Sequence, residues 1–210
     1  MADPLIQASN GKLGTLWRTG WAALLGASLV CVSALANARP DWTLERLMQD
    51  LSKVEQRQTR FVETRELGLL QQALTSRGSL SFRRPDRLLK RFDPPNGVSY
   101  EIEANRLRIR KADGSEEVVR LDNAPRLLAY VTAMRAVLAG DLEALRRYFE
   151  LRLEGDHEHW RLFLTPREPT LTRQVKRIEV EGSNQGISRF QILEQSGDRI
   201  LTRLLPSDEQ

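Results

Sequence analysis

Cysteine and histidine are almost absent from this sequence of 210 residues, which contains one cysteine and two histidines. The cysteine, Cys31, lies in an apolar segment that we expect to be removed, so the chain that remains would contain none. Such a chain has no disulfide, no thiol nucleophile and no thiolate metal site. Its hydrophobic core alone must therefore stabilise it.

The two histidines, His157 and His159, stand two positions apart in the sequence Asp-His-Glu-His-Trp. One interpretation is a metal site, and the other is a pair of solvated histidines in a turn. The segment is typical of a turn that enters a strand, whereas helical zinc motifs place their histidines one helical turn apart. The spacing favours the solvated turn, and we predict neither a metal nor a cofactor.

Short catalytic motifs are also lacking. We find no Gly-x-Ser-x-Gly nucleophile motif, no phosphate-binding glycine loop and no dinucleotide fingerprint. Acidic residues such as Glu179 and Glu181 alternate along segments with strand periodicity, where a solvated outer face accounts for them. We therefore predict a protein that is not an enzyme.

Neither sign of charge predominates, since 32 basic and 28 acidic residues give a net charge of +4. Arginines are scattered along the chain, although Arg106, Arg108 and Arg110 form a basic stripe on one predicted strand. The neighbouring predicted strand offers Glu101 and Glu103, so cross-strand charge pairing accounts for the stripe. We do not predict nucleic-acid binding.

Long apolar runs are rare, and the clearest lies near the start of the chain. Lys12 and Arg18 precede the apolar run Trp21–Leu35, and the small residues Ala36 and Ala38 follow it. This order is typical of a signal peptide with an Ala-Asn-Ala cleavage site. The run of about 15 residues is shorter than the roughly 20 that a membrane-spanning helix needs. We predict a cleavable signal peptide over residues 1–38 and a periplasmic protein over residues 39–210.

The predicted mature chain opens with helical periodicity. In residues 42–55 the apolar side chains recur at helical spacing, at Leu44, Leu47, Met48, Leu51 and Val54. The pattern predicts an amphipathic helix that packs against a sheet, with Thr43 as its N-cap.

From Phe61 to Leu121 the periodicity changes to two. Apolar residues alternate with polar ones in three segments, at Leu80 and Phe82, at Val98, Tyr100 and Ile102, and at Leu107 and Ile109. Alternation of this kind predicts strands with one apolar face and one polar face. Turns at Pro94–Gly97, Glu103–Asn105 and Asp113–Gly114 predict antiparallel pairing of successive strands.

A helical insertion is predicted at residues 124–147. Pro125 suits a first helical position, Gly140 suits a helix end, and Asp141 can cap a second short helix. The apolar stripe of the insertion comprises Leu127, Leu128, Tyr130, Val131, Met134, Val137 and Leu138. Strand patterning resumes at Phe149 and continues to Leu205, with turns that include Pro166–Pro169.

The predicted order is one helix, about six strands, a helical pair and about five strands. We therefore predict one domain that is mainly β with α, built on a curved antiparallel sheet of about 10–11 strands. Helices on the apolar face of that sheet would close a hydrophobic cavity, in which cargo would bind, instead of a solid core. Periodicity does not distinguish a packed interior from a hollow one.

Three motifs follow the first helix in a fixed order. They are Phe61-Val62-Glu63, the Gly-x-Leu-x-Phe-x-Arg-Pro pattern from Gly78 to Pro85, and the proline turn from Asp93 to Gly97. In this order they resemble the periplasmic outer-membrane lipoprotein carrier family, called LolA-like. Glu63 stands where that family has Gln, and Ala104-Asn105 stands where it has Asp-Gly. Leu107 to Arg110 replaces its aromatic cluster, and its later Phe and Pro-Pro-x-Gly segment is not found after Leu204.

The resemblance implies a half-open antiparallel barrel with a concave apolar face under a helical lid. Such a carrier shelters acyl chains that pass from an inner-membrane exporter to an outer-membrane acceptor, and it needs no catalytic residue. Arg84 matches the family's Arg before Pro, which is associated with holding the lid helices closed. The resemblance thus makes Arg84 the candidate lid latch, while an arginine that pairs with a nearby carboxylate at a strand end is the alternative.

The candidate cargo-binding residues are apolar side chains on predicted strands: Phe61, Leu80, Phe82, Tyr100, Leu107, Trp160, Leu162 and Phe190. The candidate lid residues lie in the helical insertion: Leu127, Tyr130, Val131, Met134 and Leu138. We expect a monomer whose cargo is an acylated lipoprotein, a lipid or a lipid-linked pigment precursor. The alternative is a non-catalytic accessory subunit of a lipid or pigment-precursor export system that binds a partner protein.

Overall fold

The computed structural model describes residues 42–68, 73–184 and 186–206. The predicted signal peptide, its cleavage site and Cys31 lie outside these residues, so the cleavage stays a prediction. The helices are α1 (Leu44–Ser52), α2 (Pro125–Ala139), α3 (Leu142–Tyr148) and α4 (Pro169–Thr172), with a 3-10 helix at Leu121–Asn123. The strands are β1 (Gln56–Glu66), β2 (Ala73–Arg83), β3 (Arg87–Phe92), β4 (Ser99–Glu103), β5 (Arg106–Arg110), β6 (Glu116–Arg120), β7 (Phe149–Gly155), β8 (Trp160–Pro166), β9 (Val175–Ser183), β10 (Gly186–Glu194) and β11 (Arg199–Leu204).

All eleven strands form one antiparallel sheet with the order β6-β5-β4-β3-β2-β1-β11-β10-β9-β8-β7. Successive strands are neighbours, and β11 returns to pair with β1, so the first strand lies at the centre and β6 and β7 lie at the edges. The sheet is therefore open. The predicted element order and the large antiparallel sheet are confirmed.

The helix ends follow the predicted capping residues. The Thr43 side chain accepts a hydrogen bond from the Arg46 backbone N at 3.2 Å, and the Asp141 side chain accepts one from the Ala144 backbone N at 2.9 Å. Pro125 is the first residue of α2, and Gly140 ends that helix in the left-handed region at φ 66°. These local signals mark the bounds of α2 and α3, which lie between the edge strands β6 and β7 in chain order.

Cross-strand pairing defines the inner face of the sheet. Leu107, Ile102, Leu88 and Phe82 stand opposite one another across β5, β4, β3 and β2, and all four are buried. Paired residues point to the same face of a sheet, and the face alternates along each strand. The inner face thus carries the apolar core.

The outer face carries charge pairs, as the sequence predicts. Arg108 contacts Glu116 at 3.0 Å and Glu101 at 3.5 Å, and Arg110 contacts Glu116 at 3.1 Å. The basic stripe of β5 is therefore balanced by the strands on either side of it.

Helix α2 is buried on more than one side, so its burial extends beyond the predicted apolar stripe. It packs against α1, α3, α4 and β9, and its small residues Ala129, Ala133 and Ala136 are among the most buried. Small side chains allow helices and strands to approach closely, so they occupy the tightest contacts. Of the predicted stripe, Leu127, Leu128, Tyr130 and Met134 are only partly buried.

Two boundaries also differ from prediction. Strand β1 begins at Gln56, five residues before Phe61, because it pairs with β2 along its whole length. The predicted turn at Pro166–Pro169 leads directly into α4, where Pro169 occupies the first helical position.

Candidate cargo-binding site

The predicted cargo-binding residues are packed together on the inner face. Seven of them have at most 3% of their surface exposed: Phe61, Leu80, Phe82, Leu107, Trp160, Leu162 and Phe190. They belong to one continuous cluster with side chains of α1 and α2, and Tyr100 is half-buried against it. In this structure the helices therefore fill the inner face with their own side chains, where the sequence predicts a hydrophobic cavity.

The most specific motif has a steric basis at Gly78. This residue pairs with Phe61 on one side and Phe92 on the other. A Cβ at position 78 would lie 2.7 Å from Cζ of Phe61, so any larger residue would displace that ring. Phe61 also meets Phe92 edge-on, with ring centroids 5.3 Å apart. The glycine thus allows an aromatic layer to close over the centre of the sheet.

A buried ion pair interrupts the apolar surface. Glu63 on β1 binds the Lys90 ammonium on β3 and accepts a hydrogen bond from Thr202 Oγ1 at 2.8 Å. The Lys90 Nζ lies 4.8 Å from the centroid of the Phe61 ring and 5.1 Å from that of Phe92. Burial lowers the pKa of Lys90, while Glu63 acts in the opposite direction. Glu63 stands where the family has Gln, and the negative charge of this glutamate is compensated by Lys90 on the same face of the sheet.

Polar contacts also tie α2 to the rim of the sheet. The Tyr130 hydroxyl donates to Glu194 at the end of β10, and Arg126 lies 3.5 Å from the same carboxylate. Burial, together with this carboxylate, raises the pKa of Tyr130. Arg135 donates to the Ala104 carbonyl in the turn between β4 and β5 at 2.7 Å.

Arg84, the candidate latch, lies where α1 and α2 end. Its Nη2 donates to the carbonyl of Ala139, the last residue of α2, and its Nε donates to the Val54 carbonyl at 3.3 Å. A cation at a helix C-terminus is favourable because the unpaired carbonyls there carry partial negative charge. The side chain binds backbone carbonyls, and this contact differs from the carboxylate pairing of the alternative interpretation.

The candidate lid residues divide into two groups. Val131 and Leu138 are buried in the core cluster, whereas Leu127, Tyr130 and Met134 are partly buried against it. The helices that the structure describes include none with the length and hydropathy of a membrane-spanning segment.

His157 and His159 lie in a bend between β7 and β8, and both are exposed. The His157 ring meets Trp42 edge-on, with centroids 5.0 Å apart. Among residues 42–68, 73–184 and 186–206, no group of three or more His, Cys, Asp or Glu side chains could hold a metal ion.

Sequence reasoning missed the polar partners of the site, namely Lys90, Glu194 and Arg135. Alternation from Phe61 places Glu63 on the inner face, and that signal alone could have pointed to a buried carboxylate. Its partner Lys90 lies two strands away from β1, and only the pairing register brings the two residues together.

The fold and the site together define a class of protein: an open antiparallel sheet whose apolar inner face is covered by helices. A sequence profile for the family described as outer membrane lipoprotein carrier protein LolA-like matches residues 35–206, and the chain belongs to this family. Proteins of this family are generally non-catalytic binding or carrier proteins. Membership supports a role in binding lipid or lipoprotein.

Several solved structures are similar to this chain at low identity. A LolA superfamily protein from Nitrosomonas europaea is 11% identical, with 79% of this chain and 93% of that chain covered and a TM-score of 0.44. A structure described as an outer membrane lipoprotein-sorting protein domain, from Vibrio parahaemolyticus, is 9% identical, with coverages of 79% and 94% and a TM-score of 0.45. A DUF1329 family protein from Desulfovibrio piger is 12% identical, with coverages of 77% and 88% and a TM-score of 0.47. No curated protein matches the chain.

Proposed function

We propose that this protein is a periplasmic carrier that binds acyl or similarly apolar chains of a lipoprotein or lipid on its inner face. It takes this cargo from an inner-membrane exporter and delivers it to an outer-membrane acceptor. One observation carries the proposal: the open sheet has a continuous apolar face, and the helices that cover this face are not hydrogen-bonded into the sheet.

Cargo binding requires α2 to move, because helix side chains occupy the inner face in this structure. The helix connects the edge strands β6 and β7, so it can shift without breaking the ladder of hydrogen bonds between strands. The apolar contacts that α2 gives up are replaced by contacts with the entering chain. The cost of the movement includes the apolar packing of the side chains of α2 and the polar contacts made by Arg84, Tyr130 and Arg135.

Burying an acyl chain from water gains about 0.8 kcal/mol per CH₂, or roughly 13 kcal/mol for a chain of about 16 carbons. The apolar side chains of α2 that leave the core offset part of this gain. Three hydrogen bonds to charged partners are worth about 1.5–3 kcal/mol each, so together they cost roughly 5–9 kcal/mol. Arg84 is the proposed latch, since it binds the end of α2 and the segment that follows α1.

Two measurements on the purified protein test the proposal. Organic extraction after denaturation, followed by mass spectrometry, should release bound lipid, and the protein should take up a fluorescent fatty acid. A protein that yields no lipid and takes up no fatty acid would not be a carrier.

An accessory role is the second candidate, and the edges of the sheet favour it. In the described sheet, β6 and β7 are the outermost strands, and Val118 on β6 is 56% exposed. An edge strand offers unpaired backbone groups to another chain. Binding of a partner protein by a chain that takes up no lipid would support this role.

A further inference from the structure

A small pocket lies between α1 and the ends of β8, β9 and β10. Its volume is about 100 Å³, and its lining includes Trp42, Leu47, Asp50, Leu51, Arg57 and Trp160. It is separate from the Glu63–Lys90 pair, which does not line it.

Arg57 is the cation of this pocket. It stands opposite Phe82 in the register of β1 and β2, which places it on the inner face. Within the part of the chain that the structure describes, its guanidinium has neither a hydrogen bond nor an ion pair. Exposed Arg87, by contrast, binds Glu101 at 2.6 Å. Burial lowers the pKa of Arg57 because water is removed from its charge.

The neighbouring hairpin leaves room for this guanidinium. Gly186, the first residue of β10, has a φ of 109°, a backbone conformation that residues other than glycine rarely adopt. A Cβ there would lie 2.6 Å from Nη2 of Arg57, so a larger residue would push the guanidinium out of its position. The close approach of backbone and cation therefore depends on glycine.

Trp42 supplies a second unsatisfied donor. Its indole Nε1 is buried and has no hydrogen-bond partner in the described residues, whereas Nε1 of Trp160 donates to the Ser183 carbonyl at 3.2 Å. Guanidinium and indole groups only donate, so a ligand that satisfies both must offer acceptor oxygens. Asp50 also lines the pocket, but its carboxylate binds Lys53 at 2.6 Å and Arg46 at 3.7 Å. Its negative charge is thus already compensated.

We propose that this pocket binds the anionic headgroup of an amphiphilic cargo, a phosphate or a carboxylate, with Arg57 as its counter-ion and Trp42 as a second donor. A pocket of about 100 Å³ suits one such group and not a whole lipid. Leu47, Leu51 and Trp160 line the pocket and also belong to the core cluster, so the apolar chain continues from the headgroup onto the inner face. The inference rests on the proposed function and adds the chemistry of the headgroup.

Calorimetric titration of the purified protein with decyl phosphate, decanol and inorganic phosphate tests this assignment. Decyl phosphate should bind about tenfold or more tightly than decanol, the ratio expected for one charge-assisted hydrogen bond of roughly 1.5–3 kcal/mol. Arg57→Gln should remove this difference, and Trp42→Phe, which keeps a ring but loses the donor, should weaken decyl phosphate binding severalfold. Arg106→Gln makes the same charge change at an exposed position of β5 and should have no effect.

The outcomes separate the headgroup site from the carrier function. Equal binding of decyl phosphate and decanol, or an Arg57→Gln variant that binds decyl phosphate like the original protein, would overturn the headgroup site and leave the carrier function standing. Inorganic phosphate that binds as tightly as decyl phosphate would point to a free-anion site and would also overturn the proposal. Failure of both decyl compounds to bind would overturn the carrier function as well.

Discussion

At the scale of single residues, the ion pair of Glu63 and Lys90 sets this inner face apart from a purely apolar one. Both side chains are largely removed from water, and Thr202 adds a hydrogen bond to the carboxylate. Removing two charges from water costs several kcal/mol per ion, which their attraction repays only when both partners are present. The pair is therefore sensitive to the loss of either member.

We expect Glu63→Gln to lower the free energy of unfolding by about 2–3 kcal/mol, because it leaves the Lys90 ammonium unpaired. This is less than the roughly 3–5 kcal/mol typical of fully buried pairs, since the Lys90 side chain retains 16% exposure. Urea denaturation followed by circular dichroism measures the change. The double variant Glu63→Gln/Lys90→Met should recover most of the loss, and a single variant as stable as the original protein would contradict this account.

The stability of the Glu63→Gln variant should depend on pH in a distinctive way. Burial lowers the pKa of Lys90 below its ordinary value of 10.5, and loss of Glu63 removes a group that raises it. Between the lowered pKa and about 10.5 the unfolded chain binds more protons than the folded one, so stability rises with pH in this window. The stability deficit of Glu63→Gln should therefore shrink as the pH approaches 10.5. A deficit that stays constant from neutral pH to that value would argue against a buried ammonium.

At the scale of elements, α2 is held by its apolar packing and by a few polar contacts at its ends and middle. Arg84 binds the carbonyl of Ala139 at the end of the helix, and Tyr130 and Arg135 reach opposite parts of the sheet rim. Because none of these contacts is part of a strand ladder, the helix can open locally while the sheet stays intact.

Arg84→Gln should accelerate amide hydrogen exchange in the last turns of α2 by about tenfold, as expected from the loss of a charged hydrogen bond of roughly 1.5 kcal/mol. The strands of the sheet should keep their protection. Arg83→Gln is the matched control, since this neighbouring arginine is exposed. Equal exchange in the two variants would remove the latch role from Arg84.

The sequence predicted those elements whose signals are local. Thr43 and Asp141 marked two helix starts, and the short turns from Pro94 to Gly114 marked the meander of β3 to β6. The stripe of α2 packs in or against the core, but its pattern did not indicate that the helix is covered on several sides and that its alanines take the closest contacts. The polar partners Lys90 and Glu194 could not be predicted, because the strand register and the position of α2 bring them to Glu63 and Tyr130.

At the scale of the whole molecule, the proposed carrier function requires the surface between the open sheet and its helical cover to exchange one apolar occupant for another. The helices supply the occupant in this structure, and an acyl chain would take their place during transport. The Arg57 pocket at one end of this surface would fix the polar head, so the cargo would enter with a defined orientation.

Photocrosslinking tests the location of the cargo most directly. A fatty acid that carries a photoreactive diazirine on its chain, irradiated with the purified protein and mapped by mass spectrometry, should label inner-face positions such as Phe82, Leu107 and Leu162. An excess of unlabelled fatty acid should abolish this labelling. Labelling confined to exposed outer-face residues would contradict an inner face that binds apolar chains. Labelling that persists in the presence of the unlabelled competitor would contradict it equally.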